Sequence, residues 1–462
     1  MTPPEALAGL WTELGLPPAV LHDADLSGAD PVLPSSFALG AAAQAAIGAS
    51  GLAASAIHQL RGGARQTVAV AMRHAATDFH SEGWLTFDGK ARGDGWDRIA
   101  GLYPCADGRW VRLHTNFPHH REGVLKLLGC AYDRAEVAIA LLAWNALAFE
   151  DAAAAAGLCV TAQRSFAEWD AHPQGRAVQA EPLIAIERIG DAPPHPLPPC
   201  ADRPLAGVRV LDLTRVIAGP VCGRTLAAHG ADVLLITAPH LFNPPALEID
   251  TGRGKRSAFL DLREPAARET LAGLLDEADI FVQGYRGGAL AGHGFGPERV
   301  AQSRPGIVYV SLCAFGFTGP WSGRRGFDSL TQTASGFNTA EAEAAGETKP
   351  RPLPVQALDH ASGYLLAAGA LAALYRRASE GGSWHVRVSL ARTGHWIRGL
   401  GRVSDGLACP APQRADIAAF LEESDSGFGR LSAVRHAAAL SATPAHWSLP
   451  SVPRGTHPPR WA

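Results

Sequence analysis

The stretch LAGVRVLDLTRVIAGPVCGRTLAAHGADVLLITAP, residues 205–239, decides the fold of this chain. Residues 208–213 and 233–236 are short apolar, β-branched runs, which predict two strands. Pro220 suits the first turn of a helix between them, where its missing N–H costs nothing, and Gly230 suits the helix end. The stretch therefore predicts one parallel strand–helix–strand unit of a doubly wound fold. It lacks the G-x-G-x-x-G pattern, so it offers no phosphate cradle for a dinucleotide.

Further units follow this one and extend the predicted sheet. Residues 254–285 have the pattern of another strand and helix, and residues 306–316, GIVYVSLCAFG, that of a third strand. The expected fold class is α/β: a doubly wound parallel sheet in a large domain, with a second, smaller α+β domain. We place the large domain at 205–400 and expect 401–462 to close it.

The chain before this region divides at a proline-rich linker. Residues 191–204 hold six prolines, which favour extended backbone and exclude a helix. Before the linker, 85–190 combines strand-like runs, DG turns and helical patterns, and predicts the small α+β domain. Residues 1–84 form a helix–strand segment, of which 39–72 resembles 358–390. We interpret 1–84 as a degenerate half of the large domain; convergent alanine-rich composition is the alternative.

Composition and charge exclude several classes of function. The 462 residues carry a net charge of −3, which gives no electrostatic case for nucleic-acid binding. The first residues lack the basic and apolar regions of a secretion signal. Residues 38–57 come nearest to a membrane span, but Gln44 and Ser50 favour a packed helix, and we expect no membrane association. Seven cysteines occur without CxxC or metal-ligand spacing, which favours reduced thiols in the cytoplasm.

Asp359 directly precedes an alanine-rich helix in the run QALDHASGYLLAAGALAALYRR. Its structural interpretation is a helix N-cap, where aspartate is among the preferred residues. A helix start would also keep the carboxylate ionised at neutral pH and offer N–H groups to a developing oxyanion. Small residues at 361–363 would let a bulky thioester approach, and a carboxylate can attack a thioester carbonyl to form a mixed anhydride. In the internal repeat Gly40 falls opposite Asp359, so that copy lacks the carboxylate.

Motifs collinear along 205–392 resemble the class III coenzyme A transferases, the family of formyl-CoA and carnitine CoA transferases. They are the opening stretch, then GKRSAFLDL, DEADIFVQGYRGGALAGHGFG, RPGIVYVSLCAFGFTGP, GFDSLTQTASG and the block from Asp359 to VRVSL. The resemblance implies that Asp359 is the acyl-accepting nucleophile of a two-domain fold in interlocked dimers. Residues 103–129 and 164–178 resemble the family's small domain, placed here before the large one. The domain order therefore looks permuted; the alternative is that 205–462 alone is related.

The resemblance also implies which residues contact CoA. The expected contacts are Lys255, Arg256, Tyr285, Arg286, Ile217, Ala218 and Cys313. The basic side chains suit the CoA phosphates, and the tyrosine ring suits the adenine or pantetheine. Ordinary surface charge and core packing are the alternatives for each.

Several positions depart from the family's pattern. Where relatives often place polar or charged groups against CoA, this chain has Ile217, Gly284, Gly292 and Cys313. These departures motivate an alternative function, a non-catalytic homologue that binds acyl-CoA or serves in assembly.

Phe327 bears on a second activity found on this fold. The α-methylacyl-CoA racemase branch needs a further acid/base, and Phe327, which cannot exchange a proton, occupies its histidine position. Asp328 is expected to point the other way or to cap a turn, so a transferase is favoured over a racemase. The histidines His114, His119, His120 and His172 lack acidic or cysteine partners at ligand spacing, and we expect no metal.

The sequence thus predicts an acyl-CoA:carboxylate CoA-transferase that works through an aspartyl mixed anhydride and an aspartyl-CoA thioester on Asp359. Coenzyme A thioesters would be its substrates, with no permanently bound cofactor. Its partners would be an acyl-CoA and a carboxylic acid, and we expect a cytoplasmic homodimer. The permuted order would also allow one chain to supply both halves of an active site.

Overall fold

The opening stretch folds as predicted in the computed structural model, which describes residues 1–91, 95–199 and 202–462. Strand Arg209–Leu213, helix Ala218–Ala228 and strand Asp232–Thr237 follow one another, and the two strands pair in parallel. Pro220 lies in the first turn of the helix, and Gly230 follows its end with a φ of 106°. Cys200 and its part of the linker lie outside the described residues.

The helices and strands of the described residues are numbered in chain order. The α-helices are α1 (Pro3–Leu14), α2 (Leu39–Leu60), α3 (Met72–Asp78), α4 (Ser81–Trp84), α5 (Pro118–Leu128), α6 (Arg134–Leu141), α7 (Ala146–Ala155), α8 (Phe166–Ala171), α9 (Pro173–Ala180), α10 (Ala218–Ala228), α11 (Pro245–Thr251), α12 (Pro265–Leu275), α13 (Pro297–Ser303), α14 (Asp328–Ala334), α15 (Phe337–Ala345), α16 (Ala357–Glu380) and α17 (Leu390–Gly399). The strands are β1 (Ala24–Ser27), β2 (Val68–Ala71), β3 (Thr86–Phe87), β4 (Lys90–Ala91), β5 (Gly101–Pro104), β6 (Trp110–Leu113), β7 (Val160–Ala162), β8 (Ala185–Gly190), β9 (Arg209–Leu213), β10 (Asp232–Thr237), β11 (Lys255–Phe259), β12 (Ile280–Gln283), β13 (Val308–Cys313), β14 (Ser383–Ser389), β15 (Leu421–Ser426), β16 (Gly429–Val434) and β17 (Ala439–Leu440).

The large sheet has seven strands in the order β11-β10-β9-β12-β13-β14-β8. The first six are mutually parallel, and β8 pairs antiparallel with β14 at the edge. The chain winds outward in one direction from β9 to β11 and in the other from β12 to β14. This is the predicted α/β, doubly wound fold. Ligands bind such sheets beyond the carboxyl ends of the strands where the order reverses, here between β9 and β12.

Alternate residues of the central strands enter two hydrophobic cores, one on each face of the sheet. Val210 and Val282 belong to the core that contains α2, α10 and α16. Leu211 and Phe281 belong to the core formed with α12 and α13. Both faces are covered, as the near-continuous apolar strands require.

The smaller α+β unit is built on the antiparallel sheet β5-β6-β7 with α5, α6 and α7 packed on it. Its edges differ from the predicted 85–190. Strand β8 (Ala185–Gly190) belongs to the large sheet, and β3 (Thr86–Phe87) pairs with β16 of the C-terminal segment. These strands find their hydrogen-bonding partners far along the chain, which local sequence pattern does not reveal.

The N-terminal segment packs directly on the large domain. Helix α2 lies against α16, and strand β2 pairs with β17 from the C-terminal segment. Contrary to the sequence-based expectation, α2 and α16 are both long and apolar enough to cross a membrane by length and composition. In this fold the apolar windows of both helices are completely buried. Their small residues serve close helix packing.

A buried ion network fastens the N-terminal segment to this core. Arg224 of α10 donates to Asp78 at 2.9 Å and to Asp250 at 2.6 Å, and all three side chains are buried. The Tyr364 hydroxyl of α16 donates to Asp78 at 2.6 Å, and Ser81 donates to Asp250 at 2.7 Å. The network thus joins α3, α4, α10, α11 and α16.

We predict that Arg224→Ala lowers the free energy of unfolding by about 3–5 kcal/mol, because it leaves two buried carboxylates without their cation. Urea denaturation would measure this. Arg263→Ala is the matched control, since Arg263 is exposed and its interactions with Asp261 and His240 lie at the surface, and its unfolding midpoint should not change. An Arg224→Ala protein as stable as the control would contradict the role given to the network.

Candidate active site

Two cavities meet at Asp359, beyond the carboxyl ends of β9 and β12. One has a volume of about 600 Å³ and the other of about 770 Å³. The residues shared by both walls are Phe117, Val216, Ile217, Phe242, Phe327 and Asp359. A ligand group in either cavity can therefore reach the same carboxyl group.

The smaller one, here called the basic cavity, is rich in cationic and aromatic side chains. Its walls include His119, Arg215, His240, Tyr285, Arg286, Arg324 and Arg325. The Arg215 guanidinium lies 5.4 Å from the centre of the Tyr285 ring and 5.6 Å from that of Phe117. Such a lining suits a ligand that carries phosphates and an aromatic base.

The larger one, here called the apolar cavity, lies between the large domain and the small α+β unit. Its apolar walls include Phe87, Trp96, Pro244, Pro245, Ala246, Leu247, Ile249, Leu353 and Val355. Its charged walls include Glu82, Asp97, Arg112 and Asp328. The lining suits a hydrocarbon chain rather than a polyanion.

Asp359 is held in the first turn of α16, not at its N-cap as the sequence suggested. The helix begins at Ala357, and Asp359 is its third residue. The Asp359 N–H donates to Oδ2 of Asp328 at 2.9 Å. Asp328 thus lies next to Asp359 and caps the helix start, so the alternative in which it points away is wrong. That alternative assumed the alternating side-chain directions of a strand, whereas Asp328 is the first residue of helix α14.

The electrostatic surroundings of Asp359 also differ from the expectation. Burial, followed by the nearby carboxyl groups of Asp328 and Glu82, raises the pKa of Asp359 well above its usual value. Burial likewise raises the pKa of Asp328. The predicted stabilisation of the ionised form by the helix start is therefore outweighed by desolvation and like charge.

Glu82 comes from the N-terminal segment and is fixed by the residue after Asp359. Its Oε2 lies 3.0 Å from Nε2 of His360, whose side chain is completely buried. The His360 ring in turn stacks on Phe79 at 5.6 Å. One chain therefore supplies both the helix that carries Asp359 and a carboxylate that acts on it.

The small residues after Asp359 serve helix packing and not the approach of a ligand. A Cβ added at Gly363 would lie 2.6 Å from the Ala218 carbonyl oxygen and 2.7 Å from the Val221 side chain. Ala361 and Ser362 are completely buried. Their size lets α10 approach α16, which corrects the interpretation drawn from the sequence.

Two of the predicted CoA contacts, Lys255 and Arg256, do not line the basic cavity. The Lys255 ammonium is buried and donates to Asp212 and to the Pro220 carbonyl oxygen, each at 2.8 Å. Arg256 binds both carboxylate oxygens of Asp232, at 2.6 Å and 2.7 Å. Both cations are therefore committed to structural ion pairs, and neither lines the basic cavity.

The other predicted contacts do line the basic cavity. They are Ile217, Ala218, Tyr285, Arg286 and Cys313. Gly284 joins them, whereas Gly292 lies in a short 3₁₀ helix, Ala291–His293, away from these walls.

Arg215 and Val216 are among the site residues that the sequence reasoning missed. Val216 has a φ of 76°, which a β-branched residue rarely adopts, and its N–H donates to Asn243 at 3.2 Å. Strain of this kind clusters at functional sites. Arg215 could have been found from its place two residues after the strand at the point of reversal.

Phe327 stacks on His114 of the small unit, with ring centres 3.7 Å apart. Burial lowers the pKa of His114 to about 3, so its imidazole is neutral and a weak base. His114 thus lies beside Phe327, but it is too weak a base for the proton transfer that racemisation needs. Across 1–91, 95–199 and 202–462, no group of three or more histidine, cysteine or acidic side chains could hold a metal ion.

We predict that Asp359→Asn stabilises the protein increasingly as pH rises. Because the folded-state pKa of Asp359 is raised, its contribution to the free energy of unfolding is complete below about pH 4, the unfolded pKa, where it is protonated in both states. That contribution is lost as pH rises through the folded-state pKa. The gain should grow by ~1.4 kcal/mol for each pH unit in that window. Urea denaturation from acid to neutral pH would measure it. Exposed Asp425→Asn should show no such trend, and a flat difference for Asp359→Asn would contradict the raised pKa.

The region that contains Asp359 is similar in sequence to known proteins. Residues 205–406 match the model of CoA-transferase family III. An acyl-CoA transferase of Gibberella moniliformis is 32% identical over 318 residues, which cover 63% of this chain and 55% of that protein. An acetyl-coenzyme A transferase of Hypoxylon pulicicidum is 36% identical over 211 residues, 44% of this chain and 35% of that protein.

A third relative is the probable fatty acyl-CoA transferase of Mycobacterium tuberculosis, which is 34% identical over 201 residues, 41% of this chain and 50% of that protein. The chain thus spans between about a third and about half of the length of these curated relatives. Residues 205–406, which hold the parallel strands of the large sheet and Asp359, are thus similar in sequence to CoA-transferase family III.

Proposed function

We propose that this protein transfers coenzyme A from an acyl-CoA thioester to a carboxylic acid, with Asp359 as the nucleophile. The observation that carries the proposal is the place of Asp359 on the wall common to the basic and the apolar cavity. The CoA moiety would lie in the basic cavity and the acyl group in the apolar cavity, so that the thioester carbon lies at Asp359. Relatives named as CoA transferases support the same class of reaction.

The first half of the reaction exchanges the acyl group and CoA on Asp359. A carboxylate oxygen of Asp359 attacks the thioester carbonyl carbon, the C–S bond breaks, and the CoA thiolate leaves a mixed anhydride. The thiolate then attacks the aspartyl carbonyl carbon of the anhydride, and the donor acid leaves as a carboxylate. The product is an aspartyl-CoA thioester.

The second half runs the same steps in reverse with another acid. The acceptor carboxylate attacks the aspartyl thioester, which releases the CoA thiolate and forms a new anhydride. The thiolate attacks the acceptor's carbonyl carbon, and Asp359 is freed as a carboxylate. No net proton is taken up or released over the cycle.

The raised pKa of Asp359 suits this role. Burial and the charges of Asp328 and Glu82 keep its proton affinity high, and a more basic oxygen is a better nucleophile once ionised. Holding the reacting atoms together in an enclosed site further lowers the barrier.

We predict that hydroxylamine added during turnover with an acyl-CoA converts Asp359 to its hydroxamate, because the aspartyl acyl group is activated in both the anhydride and the thioester. Peptide mass spectrometry would locate the label. Asp359→Ala should carry no label and lose at least about a thousandfold in turnover. The control Asp425→Asn should be labelled at Asp359 as wild type is. Full turnover of Asp359→Ala would refute the proposed role.

A non-catalytic homologue that binds acyl-CoA is the second candidate, favoured by the apolar Ile217 and the unreactive walls at Gly284 and Cys313. A CoA-dependent rise in melting temperature without labelling of Asp359 would support it. Ligand at about a hundred times its Kd stabilises by about 2.7 kcal/mol, which is measurable. No shift with any CoA ester would count against both candidates.

We also propose that the protein is a homodimer in the cytoplasm. The six described cysteines are free thiols, in agreement with a reducing compartment. Ile139 and Leu142 on the small unit are 65% and 54% exposed and offer apolar surface for a second copy.

We predict a mass of about twice 48.4 kDa by light scattering at micromolar concentration, because an exposed apolar patch is usually buried by self-association in a two-fold dimer. A mass of 48.4 kDa would contradict the dimer and support a self-contained site in one chain.

A further inference from the structure

Arg112 is a buried cation that forms no ion pair among the described residues. It lies on β6 of the small unit, lines the apolar cavity and is 7% exposed. Throughout the described parts of the chain its guanidinium forms no ion pair, and its Nε has no hydrogen-bond partner. Its nearest aromatic contact is Trp96, whose ring centre lies 5.1 Å away.

Two other deeply buried cations are paired with carboxylates. Arg224 pairs with Asp78 and Asp250, and Lys255 pairs with Asp212. A buried charge is costly unless it is paired, so these pairs are the ordinary solution. Arg112 keeps its charge at neutral pH although burial lowers its pKa to about 10. An anion bound in the cavity would supply the missing partner.

Arg112 acts at a distance from the reacting carboxyl group. Strand β6 packs on α14, and the charge of Arg112 acts on Asp328 at the start of that helix. Besides burial, the groups that raise the pKa of Asp359 are Asp328 and Glu82. Asp328 already accepts hydrogen bonds from the Asp359 N–H and from Gln332. The anion that Arg112 awaits is therefore a ligand group other than the reacting carboxylate.

We propose that the apolar cavity binds a carboxylic acid, or its acyl group, that has an apolar body and a second anionic group, and that Arg112 binds this second anion. The walls at Trp96, Phe242 and Ile249 receive the hydrocarbon body, and Asp359 faces the reacting carbon. Arg112 is then a specificity-determining residue that selects dicarboxylic over monocarboxylic acids. This inference rests on the proposed transferase function.

Identity exchange gives the sharpest test, because it needs no knowledge of the second substrate. Isotopically labelled adipate is exchanged into adipoyl-CoA, and labelled hexanoate into hexanoyl-CoA, with shorter and longer matched pairs alongside. Wild type should exchange the dicarboxylic member faster. Arg112→Gln should lower its kcat/KM about 10- to 100-fold, chiefly through KM, and leave the monocarboxylic member unchanged.

Two further variants serve as controls. Arg112→Lys keeps the charge without the planar fork and should retain part of the preference. Arg98→Gln removes an exposed arginine of the same unit, paired with Asp133, and should change neither acid. Melting temperatures show whether each variant is folded.

Equal loss for both acids in Arg112→Gln, with a moved pH profile, would mean that Arg112 only offsets the charge of Asp328, and would overturn the inference. Absence of any preference in wild type, across all pairs, would overturn it too. If no pair exchanges at all, the transferase proposal fails, and calorimetric binding of the free acids decides this inference separately. Tighter binding of adipate than of hexanoate, lost in Arg112→Gln, would uphold it, and equal binding would overturn it.

Discussion

The concentration of carboxyl groups at the start of α16 is the constraint on which the site depends. Asp359 is buried beside Asp328 and Glu82, and no ion pair to Asp359 is formed within the described residues. The fold tolerates this cluster because each neighbour has its own partner: Asp328 caps the helix, and Glu82 meets His360. What remains is one carboxyl group with high proton affinity, open to two cavities. A nucleophile that alternates between an acyl group and CoA needs this access.

The N-terminal third matters because it completes this site within one chain. Glu82 and Arg112 reach the apolar cavity from sequence regions that precede the large domain. The internal repeat gains a structural parallel, since Asp30 accepts hydrogen bonds from the N–H groups of Gly40 and Ala41 at the start of α2. Asp328 does the same for Asp359 in α16. Helix α2 thus has a capping carboxylate of its own, and Gly40 falls opposite Asp359 in the predicted repeat, as the interpretation of 1–84 as a degenerate half would require.

The local parts of the fold and of the site could be predicted from the sequence, and the parts that depend on distant partners could not. The unit at 205–239 followed from its own pattern of apolar residues, proline and glycine. Asp359 followed from its place before a small-residue helix and from the family resemblance. Lys255 looked free because its partner Asp212 lies 43 residues away along the chain. Glu82 is likewise far from Asp359 in the sequence, so its effect on the pKa of Asp359 could not be predicted.

The most direct test of the account is a crystal structure with a non-reactive thioether analogue of an acyl-CoA. We expect the CoA moiety to lie against Arg215 and Tyr285, the acyl chain to pass Trp96, and the carbon in place of the thioester carbonyl to meet the Asp359 carboxyl group. An analogue bound with its acyl chain in the basic cavity, or with its reacting carbon out of reach of Asp359, would contradict it.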